Sequence, residues 1–295
     1  MSTTSYDILA RSHPCYDMKA HNKIGRIHLP VVPKCNIGCR FCDRKVSSYF
    51  HTSRPGLAYT LMHPGDAASA VKTALEKDPS IEVVGISGPG EPLFNKETFE
   101  TLEIISKNYP FLKLCVCTNG LLLFEKAQVL RKLNVKTLTV TINAVSPKIA
   151  SKISSFSFID GVKVNGIKGA EILVSRQLEG LELASKLGFL IKINTVLIPG
   201  INLAHVRDIA YEVQRRGAYI LNIMPLIPLG EFRNLRAPTC NELIAARESC
   251  ESIIPIFRAC KQCRADACGI PGLEGKREIP NTHSSSKNHF QKGRA

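Results

Sequence analysis

An α/β chain folded as a partial (β/α)6 barrel of the TIM type, with cysteine-bearing N- and C-terminal extensions, is what three observations predict. Six short runs rich in apolar and β-branched residues recur at 27–32, 81–87, 112–118, 137–143, 190–198 and 219–227. Segments of helical periodicity separate them, and runs that look apolar on both faces with helices between them read as parallel βαβ units. Chemically distinctive residues gather just after the runs, at the edge where parallel α/β folds place their ligands.

The elements follow in order. The first run, Ile27 to Val32, feeds the segment Cys35–Cys42, and the second, Ile81 to Ser87, feeds Gly88–Glu91. The third ends at Thr118-Asn119-Gly120 and the fourth near Asn143. Glu171 to Leu187 reads as a helix stopped by Gly188, and Asn202 to Arg216 as one that Asn202 can cap and Gly217 can end. After Leu229 the alternation stops, leaving a helix around Thr239 to Ile253 and a cysteine-bearing segment at 260–268. The expected organisation is an N-terminal arm at 1–22, the barrel at 23–232, a C-terminal extension at 233–275 expected to fold over the barrel mouth, and a disordered basic tail at 276–295. No internal repeat is present.

Composition narrows the class. Of 295 residues, 44% are hydrophobic and 22% charged, close to globular averages, which excludes a largely disordered or fibrous chain. No apolar run approaches the ~18 residues of a membrane span, and the N-terminus lacks the apolar core of a signal peptide, so a cytoplasmic protein is expected. The net charge of +14 includes four charges from the tail. No basic stripe interleaved with aromatics is present, so nucleic acid is not the expected partner; anionic cofactors, substrates or acidic proteins account for the charge equally well. Eleven cysteines in a chain this long point to metal or thiolate chemistry rather than a disulfide scaffold.

Cys35-Asn-Ile-Gly-Cys39-Arg-Phe-Cys42 is the sharpest motif. Three thiolates so close can hold three corners of a [4Fe–4S] cube and leave the fourth iron open. A structural zinc ion would need a fourth ligand, although a zinc knuckle or buried thiols are the alternatives for the triplet alone. An open iron can chelate the amino and carboxylate groups of S-adenosylmethionine (SAM), and the cluster electron can cleave its sulfonium bond.

The triplet, with Phe41 before its last cysteine, resembles the signature of the radical SAM superfamily, and Ser87-Gly88-Pro89-Gly90-Glu91-Pro92 resembles that family's G-G-E-P segment. The resemblance implies that Cys35, Cys39 and Cys42 carry the catalytic cluster. It also implies that Phe41, Gly88, Pro89, Gly90 and Glu91 meet the methionine end of SAM, with Asn119, Asn143, Asn194 and Met224 as further contacts. More specific stretches are similar to the NifB family: His13-Pro14-Cys15-Tyr16, Gly25 to Ile37, Ser53-Arg54-Pro55-Gly56, Asn222 to Ile227 and Cys260 to Ala267. Two further clusters are thereby implied, one on Cys15, Cys260 and Cys263 and the other on His28 and Cys115, which the enzyme fuses with a SAM-derived carbide into a precursor of the nitrogenase cofactor. An electron donor such as a ferredoxin or flavodoxin and a carrier or scaffold protein for the product are the implied partners.

One stretch departs from that family. Where NifB reads C-N-R-K-Y-D-C-x-N-E-S-R-P-G, this chain reads Cys42-Asp43-Arg44-Lys45-Val46-Ser47-Ser48-Tyr49-Phe50-His51-Thr52-Ser53-Arg54-Pro55-Gly56, without the second cysteine. Cys117 or His51 could replace it. The departure sets up a competing expectation, a NifB-derived radical enzyme that lacks one auxiliary cluster and performs methyl transfer or another radical modification. A third class, a non-catalytic iron–sulfur carrier or polyanion binder, would leave SAM uncleaved. Cys240, Cys250 and Cys268 are expected to be small apolar residues.

Overall fold

The structure, a computed structural model, describes residues 5–43 and 56–273. The departing loop 46–52, with His51, and the basic tail 276–295 lie outside the described residues. In chain order the elements are α1 (Ser5–Arg11), α2 (Met18–His21), β1 (Gly25–His28), β2 (Ile37–Cys39), α3 (Ala67–Lys77), β3 (Ile81–Ile86), α4 (Lys96–Asn108), β4 (Lys113–Thr118), α5 (Leu123–Lys132), β5 (Val135–Thr141), α6 (Pro147–Ile153), β6 (Ser154–Ile159), β7 (Val162–Asn165), α7 (Gly166–Lys186), β8 (Leu190–Leu197), α8 (Val206–Gln214), β9 (Ile220–Pro225), α9 (Cys240–Glu251) and β10 (Cys268–Gly269).

Six parallel strands in the order β1-β3-β4-β5-β8-β9 form a curled half-barrel, and β10 adds antiparallel to β1. They are the six runs expected from the sequence, with helices between them. Their faces, however, differ. Outward side chains (Ile27, Val84, Ile86, Leu114, Val116, Leu138, Val140, Ile191, Ile193, Leu221, Ile223) make one core with the helices. Residues in alternate positions point the other way, as the two-residue period of a strand requires, and these include His28, Cys115, Cys117, Thr137, Thr139, Lys192, Asn194 and Asn222. The expectation of strands apolar on both faces is therefore corrected: the hollow of the half-barrel is polar.

Glycines end the helices as expected, with Gly188 at φ +79° after α7 and Gly217 at φ +88° after α8. Asn202 does not cap α8. Its side-chain carbonyl accepts from Ile198 N, and its amide donates to the carbonyls of Val196 and Asn143, so it ties the ends of β5 and β8 together while a 3₁₀ turn at 203–205 leads into the helix.

The extension beyond β9 crosses the open side of the half-barrel. Ile256 bridges to Leu221 of β9, Gln262 Nε2 donates to Pro225 O, the carbonyl of Arg264 meets His28 Nδ1 at 2.9 Å, and Cys268 and Gly269 pair with Ile27 and Arg26 of β1. An open sheet leaves unpaired N–H and C=O groups on both outer strands; this strap covers both. The N-terminal arm plugs the opposite end, where the buried Tyr16 hydroxyl donates to the carbonyls of Leu138 and Leu190.

A small antiparallel sheet, β2-β6-β7, backs the cysteine loop: Cys39 pairs with Ser154 and Ile37 with Ser157. Helices α5 and α7 meet at Gly180, where an added Cβ would lie 2.8 Å from Leu123 Cβ and 2.9 Å from Phe124 N. Alanine there gains about 1 kcal/mol of helix propensity but overpacks against atoms that cannot swing away, at about 1–3 kcal/mol. Gly180→Ala is thus expected to lower stability by about 1 kcal/mol in urea unfolding. A gain in stability would contradict the close contact.

Candidate active site

Residues at the C-terminal ends of the strands surround a cleft of about 880 Å³ measured to its open mouth. Cys35, Cys39, Cys42 and Phe41 line it from the loop after β1; Ser87, Pro89, Gly90 and Glu91 from the turn after β3; Cys117, Thr118 and Asn119 from β4; Asn143 from the end of β5. Thus the triplet, the Gly-Pro-Gly-Glu turn, Asn119 and Asn143 come together. Asn194 and Met224 do not line this cleft. Asn194 lies deeper, its side-chain carbonyl accepting from Asn222 Nδ2 at 2.9 Å, and the Met224 sulfur sits 3.9 Å from Cys260 Sγ.

The loop is fixed by its neighbours. Gly90 N donates to Val32 O and Glu91 N to Lys34 O, both at 2.8 Å, which stitches the turn after β3 to the residues just before Cys35. A Cβ on Gly90 would fall 2.2 Å from Lys34 O, so this approach requires glycine. On the far side Arg40 pairs with Glu231, and Glu231 N donates to Arg40 O at 2.7 Å. Asn36 Oδ1 accepts from Asn119 Nδ2 at 2.7 Å, and the same amide group points at Cys35 Sγ, 3.8 Å away.

Glu91 is 3% exposed. Its carboxylate accepts from Leu93 N at 3.0 Å, Asn119 N at 2.7 Å and the Thr118 hydroxyl. The acid thereby joins the ends of β3 and β4 beneath the cleft. Gln177 on α7 does the same for β4 and β5, with Nε2 donating to the carbonyls of Asn119 and Thr141 at 2.6 and 3.0 Å. Neither this role of Gln177 nor that of Asn36 was visible in the sequence, because each depends on which neighbours the fold supplies.

A second group of side chains lies deeper in the hollow. His28, Gly85 and Cys115 are register partners across β1, β3 and β4. A Cβ on Gly85 would come 2.8 Å from the His28 ring, so glycine lets the imidazole lean across β3. Cys115 and Cys117 follow one another on the inner face of β4. Cys15 from the arm and Cys260 from the strap pack together with Tyr16 and Phe257, and Arg26 Nη2 donates to Cys263 Sγ at 2.8 Å. No disulfide forms among the eleven cysteines.

Burial sets the charges here. It pushes the Cys15 thiol up to about 11, lowers His28 to about 4 and lowers His13 to about 3, Lys192 and Lys113 adding to the effect on His13. Neutral His28 with Nδ1 donating to Arg264 O leaves Nε2 as an unprotonated acceptor. The two β4 thiols, neighbours on one strand face, shift one another in opposite directions, Cys115 falling and Cys117 rising. Lys192 is 3% exposed; desolvation opposes its charge, and Cys15, Cys260, Cys117 and Cys115 outweigh that and raise its pKa above the ordinary lysine value only when they are ionised to thiolates.

The Cys35, Cys39 and Cys42 set fits an iron–sulfur cluster. Among the described residues no three His, Cys, Asp or Glu side chains converge on one point, as a single ion would need. A four-iron cube instead takes its thiolates at separate corners, and Cys35, Cys39 and Cys42 stand around one cleft with an amide aimed at a sulfur. Hydrogen bonds of that kind adjust cluster potential. Cys250, by contrast, is fully buried in the core, and no helix among the described residues is long and apolar enough to cross a membrane.

A half-barrel with a three-cysteine loop at its mouth is the architecture of one enzyme class. Residues 29–212 match the Radical SAM superfamily, and SuiB of Streptococcus suis bound to S-adenosylmethionine shares the fold, with a TM-score of 0.56 and 15% identity over 81% of this chain and 52% of that one. Within the superfamily the chain belongs to the NifB family. It is 49% identical over 267 residues to the FeMo cofactor biosynthesis protein NifB of Methanocaldococcus infernus, covering 90% of this chain and 88% of the relative. The NifB of Methanocaldococcus jannaschii is 50% identical over 262 residues, 89% and 87% of the two chains.

Two measurements probe these contacts. Glu91→Gln replaces an acceptor oxygen by an NH₂ that must face an N–H or hydroxyl donor, and a buried donor left unmet costs about 1–3 kcal/mol; a corresponding loss in urea unfolding is expected, and an unchanged midpoint would deny the strand-joining role. His13, 1% exposed, has a folded pKa near 3 against 6.5 when unfolded. Between those values the unfolded chain binds the extra proton, so stability is full above pH 6.5 and falls on acidification by about 1.4 kcal/mol per unit from this group. His13→Phe is expected to flatten the pH dependence of melting of the metal-free protein; an equally steep profile would contradict this assignment.

Proposed function

We propose that this chain is a radical SAM enzyme of nitrogenase FeMo cofactor biosynthesis, taking two [4Fe–4S] clusters as substrate and fusing them with a carbon from SAM that becomes carbide. The observation that carries the reading is the stacking of two thiol sets along one hollow. Cys117 lines the upper cleft with Cys35, Cys39 and Cys42, and it follows Cys115 of the lower set by two residues on the same face of β4. Chemistry begun on SAM in the cleft would thus open directly onto a cluster held beneath it.

Bound at Cys35, Cys39 and Cys42, a [4Fe–4S] cluster with one iron lacking a protein ligand would supply the electron that cleaves SAM. The chain's own residues prepare that site. The turn Pro89-Gly90-Glu91 is pinned against the loop by Val32 and Lys34 carbonyls, which fixes where the methionine end can sit. Asn119, Asn143, Thr141 and Ser154 offer polar atoms along the wall, while Phe41, Ala150, Ile153 and Leu173 exclude water from the rest. Reactive intermediates survive where water is excluded.

The substrate clusters would rest on Cys15, Cys260 and Cys263 and on His28 with Cys115. Incomplete protein ligation suits cargo that must leave. An external ferredoxin or flavodoxin would deliver electrons, and a carrier or scaffold protein would take the product.

The departing loop between Cys42 and Gly56 favours a second reading, in which the His28 site has been lost and the enzyme does other methyl-transfer or radical work. Iron counting separates the two. After anaerobic reconstitution, about twelve irons in the wild type and about eight in the Cys35→Ala/Cys39→Ala/Cys42→Ala variant are expected, with methyl-labelled SAM leaving its label in the released iron–sulfur product. About eight irons falling to four, with no label in a cluster, would reject fusion in favour of the second reading.

A further inference from the structure

Lys192 is an oddity of composition and of place: a cation in the middle of Leu190-Ile-Lys-Ile-Asn-Thr-Val-Leu197, aimed into the hollow and 3% exposed. Its register neighbour is Thr139, whose own neighbour is Cys117, so the ammonium stands one row from the β4 thiols. The rings of Tyr16 and Phe257 lie 5.9 and 5.3 Å from its nitrogen. Among the described residues it makes no hydrogen bond and no ion pair. The groups that act on its charge most strongly are Cys15, Cys260, Cys117 and Cys115, once they are thiolates.

A buried ammonium persists where an anion meets it. Thiols are neutral, but they bind metal as thiolates, and a cluster adds its sulfides. An ammonium has three donors on a compact head, which suits donation to sulfur on one side of such a cluster. We propose that Lys192 is the built-in counter-ion of an anionic iron–sulfur cluster seated at Cys15, Cys260 and Cys263, uncompensated while the site is empty and compensated once it is loaded. Arg26 serves the opposite flank, reaching Cys263 Sγ at 2.8 Å from β1. This rests on the reading above that those three thiols take a substrate cluster.

The role has an unusual sign. An interaction confined to the folded protein would weaken the empty and loaded forms alike when removed, whereas a counter-ion awaiting its anion weakens only the loaded one. The experiment uses the full chain with Cys35→Ala/Cys39→Ala/Cys42→Ala as parent, and adds Lys192→Met or Lys192→Arg. Each protein is melted metal-free, and its iron is counted after anaerobic loading with iron and sulfide and desalting. The metal-free Lys192→Met protein is expected to melt at or above its parent, yet to lose about one four-iron cluster, and Lys192→Arg is expected to keep it. A metal-free Lys192→Met protein that melts below its parent overturns the proposal whatever its iron content, because the ammonium then already has its partner. Unchanged iron in Lys192→Met overturns it too, as does equal loss in Lys192→Arg, which would assign the effect to shape. Cys15→Ala/Cys260→Ala/Cys263→Ala with Lys192 intact is the separate arm: unchanged iron there rejects the cluster site itself.

Discussion

Six parallel strands curl but do not close, and the rest of the molecule follows from the two edges this leaves. Backbone groups on the outer strands β1 and β9 must be paired or covered, and the segment from Ile256 to Gly269 does both. Because that strap runs across the open side, it carries Cys260 past Met224 and Cys263 past Arg26, inside the sheet's curve rather than on its surface. A closed barrel would have had no gap through which a loop could deliver ligands to the interior. Closure by a strap and ligation from the strap are the same structural event.

Division of labour between the two sheet faces makes a polar hollow affordable. The outer face and its helices form one continuous core, in which each fully buried Val, Leu or Ile contributes about 1.5–3 kcal/mol. The inner face is therefore free of the task of holding the fold, provided its polar groups find partners. They do so largely through one another: Asn119 with Asn36, Gln177 with two strand carbonyls, Asn202 across three residues, Asn222 with Asn194. These links also lock the strand ends in register, so the wall of the cleft is rigid before any cofactor arrives.

The parts legible in the sequence were those set by local rules. Strand runs, stopping glycines, the Cys35–Cys42 spacing and the gathering of motif residues at strand ends all follow from period, propensity and position. The β6–β7 hairpin was legible in principle and missed. Asp160-Gly161, at φ +49° and +80°, is a two-residue turn of the kind that favours hairpins, but it falls where a βα alternation leaves no room for one. Three features were beyond local rules. Asn202 looked like a helix cap because its competing partners, Asn143 and Val196, come from other strands. The strap's course depends on edges that exist only once the sheet is built. Gln177 sits on a helix whose sequence does not say that its inner face will reach two strand carbonyls.

Lys192 belongs to a different category, since its anomaly lies in the sequence itself. A lysine amid branched apolar residues contradicts the strand around it, and such local contradictions mark functional places more often than errors of folding. The same logic reinterprets the basic composition. Positive charge in this chain is not arranged as a surface stripe for a polyanion; two of its cations are buried at the thiols, Arg26 at 1% exposure and Lys192 at 3%. Hard anions such as phosphate would meet those cations but gain nothing from the sulfurs, and soft neutral ligands would meet the sulfurs but leave the cations uncompensated. A ligand that is anionic as a whole and thiophilic at its metals satisfies both, which is the electrostatic description of an iron–sulfur cluster on thiolates.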